Sequence, residues 1–213
     1  MDRKRAEAIC DLLIERKISV KLQFTNGLRA DTLDANLLAK LKLAGTWLTG
    51  LAPETGNEEV MRKIKKGFDQ HRVLEARKEC RKAGIKTFGF FMIGFPFETR
   101  EQIKETIRFA KILDCELVEF NKVIPYAHTE LYDLIVKGGY ELDLSPKQVQ
   151  SYHEGTITTH RVGDMEPDEV KTLIRSAYRQ YYLRPRKMLD LLRTFQITDL
   201  MGLAIYAIRT RNI

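Results

Sequence analysis

Residues 87–99 read Thr-Phe-Gly-Phe-Phe-Met-Ile-Gly-Phe-Pro-Phe-Glu-Thr, and this stretch decides the fold. Phe88 to Ile93 is a near-continuous apolar run. Such a run predicts a strand buried on both faces, as in a parallel sheet covered by helices. Gly94-Phe95-Pro96 ends it. Thr99 with Gln102 then forms a capping box, and Ile103, Ile107 and Ala110 follow at helical spacing. In α/β barrels a loop between such a strand and helix sits at the strand's C-terminal end, where chemistry is done. An ordinary βα connection has the same local pattern, so the neighbouring segments must decide.

They repeat the unit. On the N-terminal side, Arg3 to Glu15 predicts a helix with Asp2 as its N-cap. Val20 to Phe24 predicts a short strand, followed by the turn Thr25-Asn26-Gly27. Asp31, with Asp34 three residues on, can cap a helix carrying Leu37, Leu38 and Leu41. Trp47 to Leu51 predicts a second strand, ending in the polar loop Ala52-Pro53-Glu54-Thr55-Gly56. Asn57 and Asp69 cap the next two helices. The basic run Lys63, Lys65, Lys66 before Gly67 reads as a solvated helix end.

On the C-terminal side, Leu117 to Ile124 predicts a further strand, ending at Pro125-Tyr126. Strand starts recur roughly 30 to 40 residues apart, the size of a βαβ unit. The fold class is therefore α/β: a partial (β/α) barrel of about four parallel strands with right-handed crossovers. After Gly138-Gly139 the pattern changes. Tyr140 to Gly163 lacks a period, Glu166-Pro167 starts a helix broken by Pro185, and Met188 to Leu192 and Ile197 to Ile208 read as two more. The predicted division is residues 1–137 for the barrel part and 138–213 for an irregular segment and a helical appendage packed on the sheet.

The 213 residues, 44% hydrophobic and 31% charged, suit a globular protein with a sizeable core. No apolar run approaches the ~20 residues of a membrane span. The three cysteines, Cys10, Cys80 and Cys115, are too scattered for a disulfide framework and point to a reducing, cytoplasmic setting. The formal net charge of +7 is compatible with nucleic acid but does not favour it.

Four loops at strand ends would cluster at one end of the sheet: Asn26-Gly27-Leu28-Arg29, Ala52 to Gly56, Gly94 to Glu98, and the one holding Pro125, Tyr126 and Thr129. Glycines there let a ligand approach the backbone, Glu54 can accept hydrogen bonds from hydroxyls or an ammonium group, and Arg29 can pair with a carboxylate. As an isolated loop acid, Glu54 more often assists the following helix, and Glu98 suits a helix N-terminus. His71, His128, His153 and His160 show no metal-binding spacing. Arg175, Tyr178, Arg179, Tyr181, Tyr182, Arg184 and Arg186 interleave basic and aromatic groups, but tyrosines at helical spacing read as core rather than as an RNA surface.

Taken in order, Asn26 to Asp31, Gly50 to Asn57 with Lys65-Lys66-Gly67, Gly89 to Thr99, and Pro125-Tyr126 with Thr129 to Tyr132 resemble the later part of a radical S-adenosylmethionine (SAM) enzyme core. The resemblance covers roughly residues 1–135 and several ordered motifs. It is greatest to the branch that often carries an N-terminal cobalamin-binding domain and includes the anaerobic magnesium-protoporphyrin ester cyclase type. It implies strands three to six of a (β/α)6 partial barrel, and a parent enzyme that cleaves SAM reductively at a [4Fe-4S] cluster to a 5′-deoxyadenosyl radical, in part of this branch with cobalamin. It further implies Glu54 at the SAM ribose, Asn26 and Arg29 near the methionine portion, Gly94 and Pro96 shaping the adenine pocket, and Pro125 and Tyr126 bordering the adenine. Phe97 stands where the family usually has glycine.

The family's three-cysteine cluster loop and first two strands are absent from this sequence. The expectation is a C-terminal part of a larger enzyme, with no catalytic residue or metal ligand of its own, no cluster or cofactor bound, and no activity alone. Its partners would be the missing N-terminal part, a substrate met by Tyr140 to Gly163 and the tail, and a second copy across an exposed edge strand, Val20 to Phe24. The alternatives are a different (β/α)-barrel enzyme such as a lyase, and a non-catalytic basic module binding RNA or a protein.

Overall fold

A computed structural model describes residues 2–126, 128–138 and 161–194. Its frame is a four-stranded parallel sheet in the order β1-β2-β3-β4, with Leu22–Phe24 as β1, Thr46–Glu54 as β2, Lys86–Ile93 as β3 and Leu117–Lys122 as β4. Helix α1 is Arg3–Glu15, α2 Ala35–Leu43, α3 Glu58–Lys63, α4 Gln70–Lys82, α5 Arg100–Leu113, α6 Glu130–Lys137, α7 Pro167–Tyr182 and α8 Pro185–Thr194. This is a half-barrel, α/β in class, with a helical C-terminal part.

Caps set most of the boundaries. The side chains of Asp2, Asn57, Asp69 and Thr129 each accept a backbone N–H in the first turn of α1, α3, α4 and α6, and Thr99 and Gln102 form the capping box of α5. Gly45 and Gly84, at φ 100° and 67°, stop α2 and α4. The cap of α2 is Asp34, whose carboxylate accepts from Leu37 N–H at 2.9 Å. Asp31 instead sits in a short 3-10 turn, Ala30–Thr32, because Arg29 holds its carboxylate through two hydrogen bonds. Pro185 does not end α7, which stops at Tyr182; it opens α8, as a proline at a first helical position can. The helix expected over Ile197 to Ile208, and nearly all of Tyr140 to Gly163, lie outside the described residues.

The alternation along β3 separates the sheet's faces. Thr87, Gly89, Phe91 and Ile93 are buried, and Phe88, Phe90 and Met92 only half-buried. The buried face meets the helices: the Phe91 ring lies 6.4 Å from Phe109 of α5 and 5.4 Å from Phe120 of β4. The main core joins this face to Leu37, Leu38 and Leu41 of α2, Val73 and Ala76 of α4, and Val170, Ala177 and Tyr181 of α7. The half-buried face is the concave, inner side of the half-barrel.

Helix α7 meets the outer edge of β4 through hydroxyls. Tyr182 Oη lies 2.8 Å from Val118 N and 2.7 Å from Val118 O. Tyr178 Oη accepts from Phe120 N–H at 3.1 Å, and Tyr181 Oη donates to Cys115 O. Backbone groups of this edge are thus satisfied without another strand. The tyrosines expected as core residues do pack inward, but their hydroxyls have this second task.

Candidate functional site

At the C-terminal end of the sheet, a cleft of about 390 Å³ is lined by Asn26, Gly27, Leu28, Arg29, Ala52, Glu54, Lys66 and Phe68, among others. Three residues singled out from the sequence, Asn26, Arg29 and Glu54, therefore meet in one place. Glycines make this approach close. Leu28 N–H donates to Gly50 O at 3.0 Å, and a Cβ on Gly50 would lie 2.8 Å from Gly27 Cα and 2.7 Å from the Phe90 ring. The loop after β1 thus lies flat against β2, which only side-chain-free positions permit.

Glu54 ends β2 past an irregularity in the β2–β3 register between Leu51 and Glu54, and holds φ 66°. A non-glycine residue in the left-handed region costs on the order of 1 kcal/mol. The residues after it supply the constraint. Thr55 Oγ1 and Thr106 Oγ1 are buried 3.0 Å apart, Gly56 N–H donates to Thr106 Oγ1 at 3.0 Å, and Asn57 Nδ2 donates to Glu105. A Cβ on Gly56 would sit 2.4 Å from Phe109 Cβ, so the loop is pressed directly onto α5. What reads in sequence as an open polar loop is the last part of a strand, held on the helix behind it.

The carboxylate of Glu54 accepts from Lys66 Nζ at 2.8 Å. Lys66 reaches it because α3 ends in a tight turn, with Lys65 and Gly67 at φ 56° and 79° and Lys66 N–H returning to Met61 O. The basic run is therefore not simply a solvated helix end: Lys65 also pairs with Glu130 of α6 at 2.7 Å. The sequence held the composition of this pair, but no spacing signal joined positions 54 and 66. Arg29 is exposed, and its bidentate contact with Asp31, at 3.0 and 2.7 Å, holds that carboxyl below the usual range.

Gly94, Pro96, Pro125 and Tyr126 do not line this cleft; they sit along the same end of the sheet, beside β3 and β4. Gly94 (φ 105°) and Pro96 are buried in the β3–α5 loop, Pro125 is buried after β4, and Tyr126 is 63% exposed. The loop's organiser is Glu98, which sequence reasoning ranked low. Its Oε2 accepts from Gly94 N–H at 2.7 Å and Phe95 N–H at 2.9 Å, while Oε1 is buried with no partner among the described residues. Burial pushes its carboxyl up to about 7. Phe97 stacks on Phe95 with Lys63 5.0 Å above its ring, and Gly163 N–H donates to Pro96 O at 2.8 Å.

The cysteines do not fit a cluster. Cys10, Cys80 and Cys115 are free and buried, and burial raises the Cys80 and Cys115 thiols to about 12 and 11. Metal ligation requires thiolates, which such surroundings disfavour. Among the described residues no group of His, Cys, Asp and Glu could hold a metal ion, and no helix is long and apolar enough to cross a membrane.

The fold and loop cluster define an α/β half-barrel with its candidate site at the strands' C-terminal end. The Radical SAM superfamily profile matches residues 1–110, and the chain belongs to that superfamily. A curated relative from Pyrococcus horikoshii, the uncharacterized methyltransferase PH0819, is 27% identical over 89% of this chain and 40% of its own length. Another, the uncharacterized protein MJ0966 of Methanocaldococcus jannaschii, is 33% identical over 73% of this chain and 34% of its own. The chain thus spans well under half of these relatives. Among solved structures, Methanocaldococcus infernus Elp3 aligns with a TM-score of 0.52 at 14% identity, over 80% of this chain and 45% of Elp3. The cobalamin-dependent SAM radical enzyme OxsB, with aqua-cobalamin and SAM bound, gives 0.52 at 14% identity, over 98% of this chain and 36% of OxsB. At these identities the likeness is one of fold.

Proposed function

We propose that this chain forms the SAM-orienting side of a radical SAM enzyme whose cluster is held by cysteines outside this sequence. The observation that carries the reading is the strained, bulged placement of Glu54 in the same cleft as Asn26 and Arg29. Glu54 is an acceptor for a vicinal diol such as a ribose, and Arg29 is a donor for a carboxylate. Both are already paired, with Lys66 and Asp31, contacts that an incoming diol and carboxylate would displace. The Glu98-organised loop, with Gly94 and Pro96, stands one strand along, with Pro125 and Tyr126 beyond it, where a purine would extend. The concave face, with Phe88, Phe90 and Met92, would shield a reactive carbon radical from water. When bound, such a cluster would supply the electron for SAM cleavage, with this chain's residues orienting the SAM. The relative PH0819, named as an uncharacterized methyltransferase, favours methyl or related group transfer as the outcome. Membership of the Radical SAM superfamily counts against a (β/α)-barrel enzyme of another family.

Amide chemical-shift mapping with S-adenosylhomocysteine tests this. Titration should move the amides of Gly27, Gly50 and Glu54, and Glu54→Gln should weaken binding about tenfold, the loss of one charge-assisted bond. No shift at these amides at millimolar ligand, or equal binding by Glu54→Gln, would overturn it.

A further inference from the structure

At the opposite end of the sheet, where β3 and β4 begin, two clefts of about 510 and 360 Å³ share Arg77, Arg81, Asp114 and Lys187 and so form one groove between α4, the α5–β4 turn and α8. Its lining holds nine Lys and Arg against three carboxylates. Two of those acids, Asp114 and Glu116, are engaged, and Asp190 of α8 forms no ion pair among the described residues. Asp114 receives Arg184 at 3.2 Å and Lys187 at 2.8 Å, and Glu116 receives Arg77 at 3.2 Å and the Thr87 N–H at 2.7 Å. The backbone carbonyls that would repel an anion here are also taken: Asp114 O by Arg77, Cys115 O by Lys187 and Lys111 O by Arg184. Lys78, Arg81 and Arg193 form no ion pair among the described residues.

The buried base of the groove is Arg77, 8% exposed. Its Nη2 is bound to Asp114 O and Glu116, yet its Nη1 is buried with no partner among the described residues. Leaving a buried guanidinium N–H unpaired is costly, and a native structure has reason to do so where a ligand completes the bond. The first turn of α8 adds to this. It carries Arg186 and Lys187, which line the same groove, and no acid, the reverse of what the helix dipole favours. Leu74 and Ile112 give one flank of the groove an apolar wall.

We propose that this groove binds a phosphate-bearing ligand of nucleotide size, with the phosphate at Arg81 and Lys78 above the buried Arg77 and the apolar part against Leu74 and Ile112. The volumes lie in the ordinary range for small-ligand clefts. Planar guanidinium donors match phosphate geometry, which a carboxylate-rich cleft would reject. The phosphate could arrive as a free mononucleotide or as a phosphodiester in a single strand, and the recognising chemistry is the same.

The test is calorimetric titration of the 213-residue chain at 50 mM salt with inorganic phosphate, AMP and a six-nucleotide oligo(U). Arg81→Ala and Lys78→Ala, both at exposed positions outside the SAM-facing cleft, are compared with circular dichroism and melting as folding controls. The expected result is binding of AMP or oligo(U) that Arg81→Ala weakens about tenfold, with both variants melting as the parent does. Oligo(U) bound more tightly than AMP, with a salt dependence that Arg81→Ala makes shallower by about 0.7 in log–log slope, assigns the phosphodiester source. AMP bound as well as oligo(U) assigns the free nucleotide. No binding of any of the three, or binding that neither variant weakens, overturns the proposal. The groove and the SAM-facing cleft lie at opposite sheet ends, so neither result decides the other.

Discussion

Glu98 offers a direct measurement of what the β3–α5 loop costs to hold in place. Its carboxyl is fully buried, takes two backbone N–H bonds on Oε2 and leaves Oε1 unpaired, and burial moves it from 4.5 to about 7. Below pH 4.5 it is neutral in both the folded and unfolded chain. Between 4.5 and 7 the unfolded chain releases the proton while the folded protein keeps it, so stability falls as pH rises; above 7 the loss is complete. At about 1.4 kcal/mol per pH unit over that window, the loss is on the order of 3 kcal/mol. Glu98→Gln keeps an acceptor oxygen for Gly94 and Phe95 but cannot ionise. Urea unfolding followed by circular dichroism from pH 4 to pH 8 should show variant and parent nearly equal at pH 4, with the variant gaining on the order of 3 kcal/mol by pH 8. A difference that stays constant with pH, or a parent that gains on the variant as pH rises, would refute the reasoning. The latter would mean that the two N–H bonds outweigh the loss of solvent.

The other expectations are independent of that titration. Tyr182→Phe removes the hydroxyl bound to Val118 N and O and should lower stability by about 1–2 kcal/mol in urea unfolding. Gly50→Ala brings a Cβ within 2.8 Å of Gly27 Cα and 2.7 Å of Phe90. It should cost about 1–3 kcal/mol by the same assay and abolish the shift of Gly27 with S-adenosylhomocysteine. The buried thiols should resist an aromatic disulfide reagent in the native protein, with Cys10, Cys80 and Cys115 reacting only on unfolding; rapid native labelling of Cys80 or Cys115 would contradict their burial. The outer edge of β1 has no strand partner among the described residues, and sedimentation should show association that rises with concentration. A clean monomer at high concentration would rule this out.

The parts legible in the sequence are those governed by short-range rules. The run from Phe88 to Ile93 is a strand because one residue type repeats, and Thr99 with Gln102 caps α5 because the two lie three residues apart. The loops at strand ends follow from the βαβ period, which brings Asn26, Arg29 and Glu54 into one cleft. What escaped was decided by contacts that no spacing rule gives. Lys66 pairs with Glu54 through a turn whose geometry no spacing rule gives. Asp31 and Asp34 are equally good caps as residue types, and only the reach of Arg29 assigns them. Glu98 looks like any first-turn acid until Gly94 folds back over it. The hydroxyls of Tyr178 and Tyr182 carry no sequence mark of where they end.

Those hydroxyls give the sheet unequal ends. On the β4 side, growth is terminated: Tyr182 and Tyr178 occupy Val118 and Phe120, so an incoming strand finds the donors and acceptors spent. On the β1 side, propagation is open. A strand delivered in cis or in trans thus has a single docking polarity, onto β1. Two copies that meet there consume the one sheet edge left open among the described residues, so self-association through this sheet closes at a pair rather than running on into a fibre.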